Sequence, residues 1–188
     1  MTIEGSWDVH FNQKWGREWD TTFPELISWS TSDNEDVKYF SGTAVYTKTF
    51  DMPNTLTKKE LLLKLDLGQV YVIAEVILNG KNLGILWNAP YSVDITKEVR
   101  TGKNQLEIRL TNQWINRLIG DDRLPEDFEQ KGVNYAAWPE WMQHPEQPRE
   151  SGRTTFVAFK HWNSRSKLQP AGLVGPVTVK AYMKAKIN

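Results

Sequence analysis

The 188-residue chain contains no cysteine. Disulfides, thiolate catalysis and Cys-ligated zinc are thereby excluded, and a domain of this length buries a core without such staples. An excess of charge is also missing, since 23 Lys and Arg balance 23 Asp and Glu. There is no basic stripe of the kind that nucleic-acid binding uses, and no polybasic membrane anchor. No run reaches the roughly 18 apolar residues of a membrane-spanning helix, and the opening Met1–Gly5 lacks a basic-then-apolar leader pattern. Nucleic acid and membrane are therefore not expected as partners. Histidine is scarce: His10, His144 and His161 are scattered, without the H-x-x-x-H or H-E-x-x-H spacing of a zinc site. No G-x-S-x-G nucleophile turn occurs. Internal repeats, low-complexity segments and linkers are absent as well, so a single domain over 1–188 is the expected partition.

Aromatic residues are abundant, with 9 Trp, 6 Tyr and 7 Phe. Indole rings fill sandwich cores as large apolar blocks and also stack on sugar rings; composition does not choose between the two, and position along the chain must. Alternation with a period of two dominates that pattern. Gly5–Asn12 sets Trp7, Val9 and Phe11 on one face. Thr43–Phe50, Leu61–Leu67, Val72–Leu78, Leu83–Trp87, Tyr91–Ile95, Gln105–Thr111, Thr154–Phe159 and Val177–Tyr182 read as further strands. In Leu83–Trp87 the phase places Trp87 with Leu83 and Ile85 on the core face. Asn79-Gly80 between two such runs predicts a tight hairpin, because both residues tolerate positive φ. Asp94 to Val99 reads as one short turn capped by Thr96. Many short strands with frequent turns predict an all-β, antiparallel β-sandwich or jelly roll. Two long segments read as loops: about 13–41, with Trp15, Trp19 and Trp29, and about 115–152, with the acidic stretch Asp121–Glu129, Trp138 and Trp141. Loops of that length are usually functional or packed against something.

Residues Gly42–Trp114 carry a resemblance. Val76, Asn79, Gly80 and Gly84 fit a V-x-x-N-G-x-x-x-G hairpin, followed by Tyr91, then Asp94-Ile95-Thr96, then Gly102, Asn104 and Leu106. This resembles the galactose-binding-like, sugar-binding jelly roll of family 2 glycoside hydrolases. The flanks GSWDVHFNQKWG, TNQWINRLIGDDRLPED, WPEW, SGRTTFVAFKHW and PAGLVGPV extend the likeness to nearly the whole chain. They are most similar to the C-terminal sandwich module of family 106-type, α-L-rhamnosidase-like enzymes. The resemblance implies a non-catalytic accessory module that binds carbohydrate or docks on a catalytic domain. It implies plant-type or host glycans, rhamnose-containing ones among them, and a parent enzyme in the periplasm or outside the cell, although the chain itself does not fix a compartment. In such enzymes the hydrolytic carboxylates stand on a separate barrel, so no catalytic residue is carried over. A stand-alone carbohydrate-binding protein and a small independent hydrolase remain open as alternatives.

The residues themselves offer three candidate chemistries. Glycoside hydrolysis needs two carboxyls about 5–5.5 Å apart for retention or about 6.5–9.5 Å for inversion; Asp121, Asp122, Glu126, Asp127, Glu140, Glu146 and Glu150 supply carboxyls, but no spacing selects a pair, and a solvated acidic loop is the plainer reading. Asp121, Asp122 and Asp127 together with backbone carbonyls form a weak calcium candidate, without an EF-hand pattern; no other cofactor is implied. Finally, the strand ends at Trp87, Thr111 and Phe159 lead into Trp87, Asn88, Trp114, Asn116, Arg117, His161 and Trp162. If these ends share one rim, aromatic planes are ringed by hydrogen-bonding groups, as sugar binding or domain docking requires. Against this stand three core Trp residues, and an Arg117 paired with Asp121 or Asp122 at a structural corner.

Overall fold

The computed structural model describes residues 1–12, 18–132, 134–144, 147, 149–157 and 160–184. Thirteen strands follow one another among the described residues: β1 (Trp7–Asn12), β2 (Glu18–Phe23), β3 (Thr43–Met52), β4 (Leu61–Asp66), β5 (Gln69–Tyr71), β6 (Ile73–Leu78), β7 (Lys81–Leu86), β8 (Ser92–Asp94), β9 (Gly102–Thr111), β10 (Gln130–Lys131), β11 (Asn134–Tyr135), β12 (Gly172–Gly175) and β13 (Thr178–Met183). Among the described residues two short α-helices interrupt them, α1 (Glu35–Lys38) and α2 (Ile115–Asp121), along with 3-10 turns at Trp29–Thr31 and Glu140–Gln143. No helix among the described residues is long and apolar enough to cross a membrane.

The strands form an antiparallel sandwich. One layer is a six-stranded sheet in the order β2-β1-β3-β9-β6-β7; the other consists of β13-β4-β8 and the pair β12-β5. The alternation seen in the sequence closes the core between them. Trp7, Val9 and Phe11 of β1, Ala44 and Tyr46 of β3, and Leu106, Ile108 and Leu110 of β9 meet Leu63 and Leu65 of β4, Leu173 of β12 and Val179 of β13 in one buried cluster.

The predicted hairpin is present. Leu78 pairs with Lys81, and Asn79 and Gly80 have φ of 52° and 80°, as a two-residue primed turn demands. The Asn79 side chain does more than turn the chain. Its amide donates to the Glu98 carbonyl and to Asn104 Oδ1, and its Oδ1 accepts from Gln105 N–H. The buried Asn104 in turn donates to the carbonyls of Arg100 and Gly102 and accepts from Arg100 N–H. The Asn-Gly and Gly-x-Asn signatures are thus one hydrogen-bonded knot that ties the β6–β7 hairpin to the start of β9. The Asp94-Ile95-Thr96 signature is structural too. The turn to Val99 forms, but Asp94 caps it by accepting from Thr96 N–H, while the Thr96 hydroxyl accepts from Leu63 N–H on β4. Thr96 is therefore a cross-strand tether rather than the cap.

The segment read as a loop over 13–41 contains β2, which pairs with β1 from Trp7–Phe23 to Asn12–Glu18. Trp19 stacks on Phe11 at 4.9 Å and Trp29 is fully buried; Trp15 lies outside the described residues. The strand expected over Thr154–Phe159 is absent from Thr154–Val157, and Phe159 lies outside the described residues. The amides of Thr154 and Thr155 go instead to a carboxylate, Asp121 Oδ2, at 2.8 and 2.6 Å.

Candidate functional site

A β-bulge decides where Trp87 points. In the β6–β7 pair, Val76 faces Gly84 and Ile77 faces Asn82, so Leu83 is an extra residue without a partner. Gly84 holds φ at 108°, a left-handed value that suits glycine, and its N–H is taken by Asn82 Oδ1. One extra residue reverses the facing of every side chain beyond it. Leu83 and Leu86 pack on the core, whereas Ile85 and Trp87 turn out and are 61% and 70% exposed. The expectation that Trp87 shares the core face with Leu83 and Ile85 is corrected accordingly.

Register then places the strand ends. Ala74 pairs with both Leu86 and Leu110, and Ile73 pairs with Thr111. Trp87, one residue past Leu86, therefore leaves the sheet beside Ile73, and the β9 exit at Thr111 lies on the same edge. Two strand spacings separate them, about 10 Å. Trp87, the exposed Asn88 and Trp114 (43% exposed) hence belong to one end of the six-stranded sheet.

From Trp114 the chain enters α2. Here the structure separates the polar candidates from the aromatic ones. Asn116 is only 2% exposed and its amide is committed at both ends, donating to the Gln169 carbonyl at 2.7 Å and accepting from Gln169 N–H at 2.8 Å. It is a brace for the Gln169 backbone and does not reach the surface. Arg117 points along the helix to Asp121 at 2.8 Å, the corner pairing weighed above. The geometry of this ion pair is off-line: Arg117 Nε and Asp121 Oδ1 are buried without a hydrogen bond among the described residues. Trp162 is half-buried and His161 exposed, with their rings edge-on at 5.1 Å. The loop that carries them runs antiparallel to α2. Ser164 N–H bonds Asp122 Oδ2 at one end, and Gln169 bonds Asn116 at the other. Trp114 and Trp162 are thus stationed toward opposite ends of α2, about 12 Å apart along the axis at 1.5 Å per residue.

The acidic stretch is consumed by the fold. Asp121 Oδ2 accepts from Thr154 N–H, Thr155 N–H and the Thr155 hydroxyl. Asp122 meets Lys160 at 3.1 Å, and Glu126 is bonded to the same ammonium. Asp127 receives the Arg149 guanidinium at both oxygens together with the Ser151 hydroxyl, while Arg149 lies over the Trp141 ring at 3.8 Å. The weak calcium candidates Asp121, Asp122 and Asp127 are corrected on this ground. Their lone pairs face N–H, O–H and ammonium donors, which compete directly with a cation, and no group of three metal-capable side chains occurs among the described residues. Glu140 and Glu150 are exposed, and Glu146 lies outside the described residues.

Sequence reasoning missed this second, smaller packing unit. Phe156 stands at 5.2 Å from Trp141, 5.8 Å from Phe128 and 6.4 Å from Trp138, and the buried Arg153 donates to the carbonyls of Leu124 and Pro125. The signal available was the W-P-E-W run close to three arginine and aromatic positions. The unit is expected to be acid-labile. Burial alone would raise the Asp127 carboxyl, but the hydrogen bonds from Arg149 and Ser151 and the nearby Arg149 and Arg153 charges outweigh it and hold the group below the usual range. A depressed folded value contributes stability that is complete above the unfolded pKa of about 3.9 and is lost as pH falls through the folded value. On acid titration the Trp141 indole N–H resonance, bonded to the Asp127 carbonyl at 3.1 Å, should keep its position down to about pH 4 and move only below it. In Arg149→Gln the onset should rise. An unchanged onset in that variant refutes the assignment.

Fold and site together define the class. This is an antiparallel sandwich with a galactose-binding-like hairpin knot and exposed indoles at a sheet end, a module of carbohydrate-active proteins. The family model described as "Glycosyl hydrolase 2 galactose-binding domain-like" matches residues 28–174, and the chain belongs to that family. It is 48% identical over 187 residues to a Formosa agariphila protein named "Putative beta-glucuronidase", covering all of this chain but 16% of that protein. The solved rhamnosidase of Novosphingobium sp. PP1Y is 35% identical, with a TM-score of 0.74 over 95% of this chain and 14% of that one. The rhamnosidase-like resemblance is borne out by that structure. A Ruminococcus gnavus β-glucuronidase, 17% identical with a TM-score of 0.51 over 63% of this chain and 22% of that one, shares the fold. The chain thus spans about one-sixth of the length of its longer relatives and corresponds to an accessory, galactose-binding-like part of them.

Proposed function

We propose that the chain acts as a non-catalytic module of a larger glycoside hydrolase and contacts carbohydrate through the sheet end that bears Trp87, Asn88 and Trp114, with His161 and Trp162 on the flank. The observation that carries this reading is Trp87: an inserted residue turns a 70%-exposed indole away from the core at the edge of the sheet. An indole plane offered to solvent beside amide groups suits the apolar face of a sugar ring and its hydroxyls. Asn116 and Arg117 support this surface from behind rather than touching the ligand. The glycans favoured by the likeness to a rhamnosidase are rhamnose-containing.

The test is calorimetric titration of the chain with rhamnose-containing and uronate-containing oligosaccharides. Trp87→Ala should weaken binding about tenfold, the equivalent of about 1.4 kcal/mol, without changing the circular dichroism spectrum. Binding that survives Trp87→Ala and Trp114→Ala intact overturns the assignment. Hydrolysis of an aryl rhamnoside by the purified chain, abolished by substitution of one carboxylate, overturns the non-catalytic part.

A second reading is favoured by the neighbours of Trp87. Ile73 and Ile85 extend the exposed surface with aliphatic groups, which suit a protein surface better than a sugar. Docking on the catalytic domain then predicts that Trp87→Ala leaves glycan titrations unchanged but makes this domain easier to release from a full-length parent by limited proteolysis.

A further inference from the structure

No Asp or Glu follows Glu150, whereas seven Lys and Arg do. The fold occupies several of these cations. Arg153 serves backbone carbonyls, Lys160 holds Asp122 and Glu126, Lys180 pairs with Asp66, and Lys184 donates to the Lys59 carbonyl. Arg165 and Lys167 are different. Both are exposed, and neither has a carboxylate partner among the described residues.

Both cations stand on the loop 162–169, whose backbone is fixed at short intervals. Asn163 N–H donates to the Ser166 hydroxyl, Ser166 N–H to the Asn163 carbonyl, and Arg165 N–H to Asn163 Oδ1. Ser164 is tied to Asp122 and Gln169 to Asn116, so α2 anchors the loop at both ends. The two acids at that end of the helix are already engaged, Asp121 by the threonines and Arg117, and Asp122 by Lys160 and Ser164. The loop therefore presents positive charge that no described residue neutralises, beside the half-buried Trp162 and the exposed His161.

We propose that the loop 162–169 binds an anionic saccharide, a sugar bearing a carboxylate or a sulfate ester, with Arg165 and Lys167 as the anion-binding groups and Trp162 and His161 flanking the ring. A neutral sugar needs donors and acceptors in similar number. A loop that offers two permanent cations and no free carboxylate selects an anion, and a guanidinium matches the paired oxygens of carboxylate and sulfate. This inference rests on the carbohydrate reading above and names the ligand class at its flank.

The test is affinity electrophoresis of the 188-residue chain in gels that contain polygalacturonate, a sulfated galactan or an uncharged galactomannan, at low and at physiological salt. The chain should be retarded by at least one of the charged polymers, and which one distinguishes carboxylate from sulfate. Arg165→Gln/Lys167→Gln should weaken that retardation about tenfold, whereas Lys81→Gln/Lys103→Gln, an equal charge change on exposed lysines at the hairpin end of the sheet, should not. Equal losses in the two double variants reduce the effect to diffuse attraction and overturn the proposal, as does the absence of charged-polymer binding. If the galactomannan alone retards the chain and only Trp87→Ala relieves it, this site fails while the carbohydrate reading stands. If no polymer is bound, this site fails, and the carbohydrate reading is decided separately by the titration with rhamnose-containing oligosaccharides.

Discussion

Trp29→Ala should lower the unfolding free energy by about 3–5 kcal/mol, the range for removing a large aromatic side chain from a packed core. A domain of this size is stable by only about 5–15 kcal/mol, so the variant sits at the edge of folding. The indole is completely buried. It stacks parallel to Tyr46 at 6.5 Å, meets Phe11 and Phe40 edge-on at 5.4 and 5.3 Å, and donates its N–H to the Tyr46 oxygen at 2.6 Å. Burial pushes the Tyr46 phenol well above its ordinary pKa, against the lowering influence of hydrogen bonds from Leu173 N–H and Trp29, so the acceptor is a neutral hydroxyl. Gly172 lies under the ring so closely that a Cβ there would come within 2.7 Å of it. Removing the indole therefore opens a cavity, leaves the Tyr46 oxygen short of a donor and uncovers a glycine backbone at once. Trp29→Phe retains most of the ring and loses the donor, and should cost a fraction of the alanine change. Urea denaturation followed by circular dichroism measures both. A loss below about 1 kcal/mol for Trp29→Ala, the size expected of an ordinary substitution, contradicts this account.

Asp121→Ala should be comparably severe but confined. Breaking a buried ion pair by removing one partner costs about 3–5 kcal/mol, because the remaining charge and donors stay buried. Here Arg117, two backbone amides and the Thr155 hydroxyl all converge on one carboxylate whose side chain is 2% exposed. The core between the two sheets contains none of these groups. Native-state hydrogen exchange should thus show the amides of Thr154, Thr155 and Ser164 opening early in the variant, while those of β3 and β9 keep their protection. Uniform loss of protection across the sandwich, or retained protection at Thr155, speaks against a separately stabilised unit.

What the sequence revealed and what it hid follow from the range of the interactions involved. The Asn79-Gly80 hairpin was legible because the turn is set by two adjacent residues with unusual φ preferences. The core faces of β1, β3 and β9 were legible because strict alternation is a local property. Strand β2 escaped notice because Glu18–Phe23 has only Trp19, Thr21 and Phe23 on its inner face and follows a polar stretch. Thr154–Val157 was misread for the opposite reason. Its β-branched and aromatic content is strand-like, but its amides are captured by a carboxylate more than 30 positions earlier, which no window of local sequence can register. Trp87 was placed on the wrong face because alternation presumes an uninterrupted ladder. Asn116 and Arg117 looked like ligand groups because residue type reports capacity to hydrogen-bond and not whether that capacity is already used. The exposed candidates Trp87, Asn88, Trp114 and His161 come from strand ends and loops, where side chains have the fewest obligations to the interior.

The unpaired Leu83 also sets how readily such a surface can appear or vanish in evolution. In an uninterrupted ladder with the same hairpin, Leu83 would face Val76 and Ile85 would face Ala74, which carries Ile85 and Trp87 to the core side. Deleting Leu83 would not do this, since Gly84, Ile85 and Leu86 already face Val76, Glu75 and Ala74. The surface depends instead on the bulge itself, and the bulge rests on the φ of 108° that Gly84 supplies. A recognition surface at this edge is therefore one substitution at Gly84 away from being lost, with the hairpin knot of Asn79 and Asn104 untouched at the far end of the strand. Lineages of this domain that differ at that single glycine can exchange ligand contact for core packing, and overall sequence identity would understate how far apart their binding behaviours lie.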